Sequence, residues 1–350
     1  MSEAPATGAP ELIVVMRASA TAEEVAHVIA LIKEAGAGVH VDTGGEGTVI
    51  GVIGDRAIVA ALPLEAVNGV ERVVPLRKEY KRVSREFRSR DTIVTIGQCK
   101  VGGGHFAMMG GPCSIESYEQ TLAAAKAVKL AGGSMLRGGA YKPRTSPYAF
   151  QGLGLEGLRI LRAVGDEVGL PITTELMDVR DLQDVVDHVD MIWIGARNMQ
   201  NFNLLSEVGR SGKPIMLKRG IAATIEELLM ASEYIANGGC DDLILCERGI
   251  RTFEKATRFT LDVSAIPVLK AETHLPIIVD PSHAAGKRSL VAPLAWASVA
   301  AGADGLIVET HPTPEHALSD AAQQIPSADF PAFVADIERL VAVSGRTLSR

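Results

Sequence analysis

Ser134-Met135-Leu136-Arg137-Gly138-Gly139-Ala140-Tyr141-Lys142-Pro143-Arg144-Thr145-Ser146-Pro147 is a short apolar run that ends in a cation and opens into a glycine-containing cationic loop. Residues 134–137 read as a buried strand. Gly138 and Gly139 allow backbone to approach a ligand closely, and Pro143 stiffens the Lys142 and Arg144 pair so that less entropy is lost on binding. With Thr145 and Ser146 alongside, the loop suits a phosphate. A charged loop standing alone is usually plain surface, so its weight depends on whether the pattern recurs.

It recurs along the rest of the chain. Strands are expected at 106–110, 134–137, 171–175, 191–194, 214–218, 242–246, 276–280 and 305–309, each followed by a helical segment, with capping boxes at Ser117 to Gln120 and Thr224 to Glu227. Eight such pairs in about 250 residues predict a TIM (β/α)8 barrel. A doubly wound open sheet would carry a Gly-rich dinucleotide turn after its first strand. Gly102-Gly103-Gly104 instead precedes a strand and reads as a turn.

The strands end in chemistry: Cys113, Arg137, Glu175, Arg197, Lys218, Arg248, His283 and Glu309 follow or close the successive runs. In a barrel those ends converge on one face. Each residue has an ordinary explanation as a packed or solvated side chain; their common register does not.

Upstream, residues 11–16, 38–42, 48–53 and 70–75 read as strands, with helices at about 22–35 and 57–64 and a turn at Gly44-Glu46-Gly47. The order βαββαβ predicts a small ferredoxin-like domain at 1–76, read as a regulatory or assembly module because it lacks a cluster of catalytic residue types. Residues 77–91 are dense in charge and read as a solvated linker, leaving 92–350 for the barrel.

Composition narrows the class of protein. Apolar residues make up 47% and aromatic residues 4%, as in α/β layers filled by branched aliphatics. A net charge of −7 disfavours a nucleic-acid binder. No apolar run reaches the roughly 18 residues of a membrane span and no signal-peptide pattern opens the chain, so a cytoplasmic protein is expected. Cys99, Cys113, Cys240 and Cys246 form no close pair, which predicts reduced thiols.

The polar residues fall into two sets. Cys113, His283 and Glu309, joined by Asp320, mix thiolate, imidazole and carboxylate as a divalent transition metal prefers. Asp320 reads equally as a helix-start residue. His274 should lie at the opposite end of the barrel, while His311 and His316 are placed in the loop beyond Glu309. The second set is Arg137, Lys142, Arg144, Arg197, Lys218 and Arg248. Six cations around one mouth should repel each other and therefore imply polyanionic ligands, best met by two phosphate-bearing substrates.

Gly111-Pro112-Cys113-Ser114, Lys142-Pro143-Arg144-Thr145, Gly195-Ala196-Arg197, Leu217-Lys218, Cys246-Glu247-Arg248-Gly249, Asp280-Pro281-Ser282-His283-Ala284 and Val308-Glu309 closely resemble the motifs of 3-deoxy-D-arabino-heptulosonate 7-phosphate (DAHP) synthases. The resemblance is to the branch with an N-terminal ferredoxin-like domain. It implies condensation of phosphoenolpyruvate with erythrose 4-phosphate at the entry to the shikimate pathway. It further implies that Arg137, Ala196, Arg197, Lys218 and Arg248 hold phosphoenolpyruvate. Lys142, Pro143, Arg144 and Thr145 would place erythrose 4-phosphate. One divalent metal per subunit, Mn first with Fe, Co or Zn as alternatives, would sit on Cys113, His283, Glu309 and Asp320. Lys142 and Glu175 are the expected acid and base, a tyrosine or phenylalanine effector is implied for the small domain, and a homotetramer is the expected assembly. The sister 3-deoxy-D-manno-octulosonate 8-phosphate synthase is the alternative; it resembles a Lys-Ala-Asn-Arg loop where this chain has Lys142-Pro143-Arg144 and normally lacks the small domain. A non-catalytic amino-acid sensor on the same scaffold is a third reading, disfavoured by the intact metal and cation sets.

Overall fold

The structure is a computed structural model that describes residues 10–44, 47–55, 58–59, 61–75, 78–143 and 146–350. Its first sheet holds β1 (Pro10–Met16), β2 (Gly38–Gly44), β3 (Gly47–Ile53) and β4 (Val70–Pro75), in the order β2-β3-β1-β4. Thr21 and Glu24 close both bonds of a capping box at the start of the helix Ala22–Glu34. That helix buries Val28 and Ile32 against Leu12, Val14, Ile50 and Val52, which alternate along β1 and β3 as a one-sided sheet requires. The predicted hairpin tip falls on residues 45–46, outside the described residues. The helix expected at 57–64 includes residues 57 and 60, also outside them, and a 3₁₀ turn at Leu64–Ala66 follows.

Residues 78–92 correct the expectation of a solvated linker. Val83, Ser84 and Phe87 are buried. Glu233 of the barrel accepts hydrogen bonds from the backbone N–H of Arg82 at 2.9 Å and of Val83 at 3.1 Å, and Lys78 and Tyr80 both reach Glu272. Phe87 packs on Ile13, Val15 and Val49 of the first sheet, and Lys81 pairs with Glu11. The segment is thus a brace between sheet and barrel. Lys78, Lys81 and Arg82 each meet a carboxylate, and the Arg82 and Val83 backbone donors meet a buried one, which offsets the cost of their burial.

The hairpin of β5 (Val94–Ile96) and β6 (Cys99–Val101), which sequence patterning does not pick out, packs under the barrel interior. Gly102, Gly103 and Gly104 all take positive φ, at 93°, 58° and 91°, in the expected turn. The barrel strands are β7 (His105–Gly111), β8 (Met135–Arg137), β9 (Ile172–Leu176), β10 (Met191–Ile194), β11 (Ile215–Lys218), β12 (Leu243–Glu247), β13 (Ile277–Val279) and β14 (Gly305–His311). Every neighbouring pair is parallel, and β14 pairs with β7 from Gly305↔Ala107 to Glu309↔Gly111, closing the ring. Alternate residues divide the core. Ala107, Met109, Met135, Trp193, Met216, Ile244, Ile278 and Ile307 fill the interior, while Phe106, Leu136, Ile192, Leu217 and Leu306 face the helices. Among the described residues, no helix is long and apolar enough to cross a membrane.

Candidate active site

The interior period of two carries six of the eight strands into the site. Met135 is followed at the next inward position by Arg137, Thr173 by Glu175, Met216 by Lys218, Cys246 by Arg248, Ile278 by Asp280 and Ile307 by Glu309. The barrel's packing residues thereby aim its functional ones.

At the floor, Trp193 meets two cations, with the Arg137 guanidinium 4.8 Å and Lys218 Nζ 5.2 Å from its ring. Arg137 Nη1 donates to Glu309 Oε1 at 2.9 Å and to the Pro112 carbonyl at 2.9 Å. Lys218 Nζ and His283 Nδ1 both lie 2.7 Å from Asp280 Oδ2. His283 Nε2 comes within 3.4 Å of Glu309 Oε1, so the contacts form a closed ring. Sequence reasoning expected six mutually repelling cations. Two of them, Arg137 and Lys218, instead carry their own buried carboxylates, Glu309 and Asp280. Burial opposes ionisation of both acids, yet His283 when protonated, with Arg137 at Glu309 and with Lys218 at Asp280, holds Glu309 below and Asp280 well below the usual carboxylate range.

Above the ring, one ligand atom from each of Cys113, Glu309 and Asp320 lies within 4.8 Å of the others. His283 joins them: a carboxylate oxygen can only accept, so the 2.7 Å bond to Asp280 puts a proton on Nδ1, and Nε2, facing Glu309 and, at 3.7 Å, Asp320, is the nitrogen that a metal would take in exchange for a proton. Burial pushes the Cys113 thiol up to about 12, with Glu309 adding to the shift and Lys142 opposing it. Asp320 is brought down to about 2 against its burial, chiefly by His283 and Arg258. A sulfur, an imidazole nitrogen and two carboxylates meeting at one point fit a divalent transition metal, whose charge would stabilise the thiolate. Asp320 sits in a loop and no helix starts there. His274 is far from this group, bonded to Thr92 and the Arg82 carbonyl. His311 corrects its expected loop position: it is the buried last residue of β14, 3.4 Å from Glu116.

A cavity of about 610 Å³ opens beside these four side chains. Its lining includes Lys142, Pro143, Glu175, Ala196, Arg197 and Arg248, together with His283 and Asp320. Arg248 is buried, its guanidinium lies 4.3 Å from the Phe259 ring, and its Nη1 has no hydrogen-bond partner among the described residues. A donor orphaned at a cavity wall is suited to an anion. Lys142 Nζ lies 3.0 Å from both Cys113 Sγ and the Cys113 carbonyl oxygen. Gly195 leaves room for Glu175, since a Cβ there would meet Glu175 Oε1 at 1.9 Å. Arg144 and Thr145 lie outside the described residues.

Three neighbours escaped the sequence reading. Asp280, within the Asp280-Pro281-Ser282-His283 motif, pairs with both Lys218 and His283. Arg258 lines the cavity 3.4 Å from Asp320, and Gln323 donates to Glu309 at 2.6 Å. Arg258 comes from an irregular segment with no periodicity to flag it.

Residues 83–340 match the DAHP synthetase I family, and residues 12–78 match the DAHP synthase ferredoxin-like domain. A phospho-2-dehydro-3-deoxyheptonate aldolase of Thermotoga maritima is 49% identical over 334 residues, which are 95% of this chain and 99% of that protein. A 2-dehydro-3-deoxyphosphooctonate aldolase of Syntrophotalea carbinolica is 34% identical over 64% of this chain and 87% of its own length. The crystal structure of the Thermotoga DAHP synthase superposes with a TM-score of 0.76 at 48% identity, covering 96% of this chain and 98% of that one. With both segments matched and the relative followed almost end to end, the chain belongs to the DAHP synthetase I family.

Proposed function

We propose a division of labour for the reaction this chain carries out, the condensation of phosphoenolpyruvate with erythrose 4-phosphate and water to give DAHP and phosphate. The observation that carries it is one cavity lined both by an orphaned buried Arg248 donor with Arg197 and Lys142, and by His283 and Asp320 of the group that Cys113 and Glu309 complete behind them. Arg248, Arg197 and Lys218 grip the phosphate and carboxylate of phosphoenolpyruvate, with Arg137 beneath and the Ala196 backbone beside them. Lys142 and Pro143, with Arg144 and Thr145, place erythrose 4-phosphate. A divalent metal, Mn in the first instance, on the four ligands would supply Lewis acidity toward the aldehyde oxygen.

The methylene carbon of phosphoenolpyruvate attacks the aldehyde carbon, and Lys142 gives a proton to the new alkoxide oxygen. Water adds at C2, with Glu175 accepting a proton from it, and the resulting hemiketal phosphate loses inorganic phosphate. Residues 1–76 serve as the regulatory domain for a tyrosine or phenylalanine effector, with 77–91 joining them to the barrel at 92–350. That reading is supported by the match to the family's ferredoxin-like domain and by the packed brace. A cytoplasmic homotetramer follows the family resemblance, and sedimentation velocity tests the assembly.

The deciding experiment is phosphate release from phosphoenolpyruvate with erythrose 4-phosphate or arabinose 5-phosphate, before and after chelation, with Mn²⁺ restored. Turnover with erythrose 4-phosphate, lost to chelator and regained with metal, is expected. Turnover that survives exhaustive chelation would refute the metal role.

A further inference from the structure

We infer that Glu116, together with Ser114 and Ser319, is a positioning group that fixes Asp320 opposite Cys113 and so sets the affinity of this site for a divalent metal ion. The inference rests on the reading of Cys113, His283, Glu309 and Asp320 as the ligands. Asp320 is the one non-glycine residue with positive φ among the described residues, at 48°. A side chain in that region persists only where its surroundings over-determine it.

Those surroundings are polar and come from the Cys113 loop. Leu318 N donates to Glu116 Oε1 at 2.9 Å, fixing the chain two residues before Asp320. Ser114 Oγ donates to the same oxygen at 3.2 Å, which leaves Ser114 to accept from Ser319 Oγ at 2.7 Å. Gln324 completes the tie, donating to the Ser319 carbonyl at 2.9 Å and accepting from Cys113 N at 3.1 Å. Ser114, Ser319 and Gln324 are buried. The set therefore binds the loops of two ligands into one unit, in which Cys113 Sγ and Asp320 Oδ2 stand 3.5 Å apart. Neither Glu116 nor either serine lines the cavity, so they act on the ligands and not on substrate.

The test is titration of metal-stripped full-length protein with Co²⁺, followed by the thiolate-to-cobalt charge-transfer band, beside calorimetry of phosphoenolpyruvate on the metal-free protein. Glu116→Ala is expected to weaken Co²⁺ binding about 10- to 100-fold, as loss of outer-shell partners typically does, and to leave phosphoenolpyruvate affinity unchanged. Glu116→Gln keeps an acceptor for Leu318 N and should restore most of the loss. Ser319→Ala, too small a change to threaten folding, should weaken Co²⁺ in the same direction. Wild-type Co²⁺ affinity in both Glu116→Ala and Ser319→Ala would overturn the inference, as would equal weakening in the Ala and Gln variants with Ser319→Ala unaffected. Absence of the band in the unsubstituted protein would instead remove the metal reading on which it rests.

Discussion

Lowering the pH from about 7 to about 5 is expected to cost the folded chain about 2 kcal/mol through His274 alone. The ring is buried where residues 78–92 meet the barrel. Its Nε2 lies 2.8 Å from the Arg82 carbonyl oxygen, which can only accept, so that nitrogen carries the proton. Nδ1 then accepts from Thr92 Oγ1 at 2.7 Å. A second proton would place a charge out of water beside Arg88 and Arg85. Burial first, and those cations next, bring the imidazole down to about 4. The unfolded chain protonates near 6.5, so between the two values it binds more protons than the fold does. The contribution is complete above the unfolded value and is lost as pH falls toward the folded one. Two and a half pH units correspond to about 3 kcal/mol in all, of which about 2 is gone by pH 5. Urea unfolding of the metal-free protein at both pH values, with and without His274→Gln, isolates it. Glutamine can donate to the same carbonyl but cannot titrate, so the variant should lose about 2 kcal/mol less than the wild type on acidification. Equal pH dependence in the two proteins, or an NMR titration of His274 near 6.5, would refute the reasoning.

Two substitutions probe the site itself. Asp280→Asn leaves the buried Lys218 without its counter-charge, and the metal-free protein should lose about 3 kcal/mol of stability or more; an unchanged denaturation midpoint would count against a buried ion pair there. Gly195→Ala puts a Cβ where Glu175 Oε1 now lies, 1.9 Å from it, and forces the carboxylate aside. The turnover number should fall by about 100-fold or more with the KM for phosphoenolpyruvate nearly unchanged, and a wild-type turnover number would remove Glu175 from proton transfer.

Much of this site was legible because a barrel interior obeys a period of two. Met135 before Arg137, Met216 before Lys218 and Ile307 before Glu309 place an apolar packing residue and a functional one on the same side of the same strand. What stayed hidden depends on pairing across long stretches of chain. Residues 78–92 look like a solvated linker because the carboxylate that binds the Val83 N–H stands 150 positions away, at Glu233. The Ser114 to Ser319 bond spans 205 positions, and neither serine announces itself locally. Arg258 lies where neither strand nor helix imposes a period. Local patterns fix which way a side chain points, whereas complementarity between distant segments appears only once the chain has closed.

The closed ring of Glu309, Arg137, Trp193, Lys218, Asp280 and His283 resolves the difficulty raised by so many cations at one mouth. Arg137 and Lys218 both lie over one indole, whose electron-rich ring favours both. Each also holds a carboxylate that abuts His283, so the positive floor and the ligand set share their counter-charges. Arg248 and Arg197 have no ion pair among the described residues, and only these, with Lys142 near the Cys113 sulfur, present uncompensated charge to the cavity. An anion arriving there meets donors already held in place, and the desolvation of Arg248 has been spent in folding. The buried acids consequently do two things at once: they offset the positive charge of the floor, and Asp280 keeps a proton on His283 Nδ1, so that Nε2 is the ring nitrogen turned toward Glu309 and Asp320.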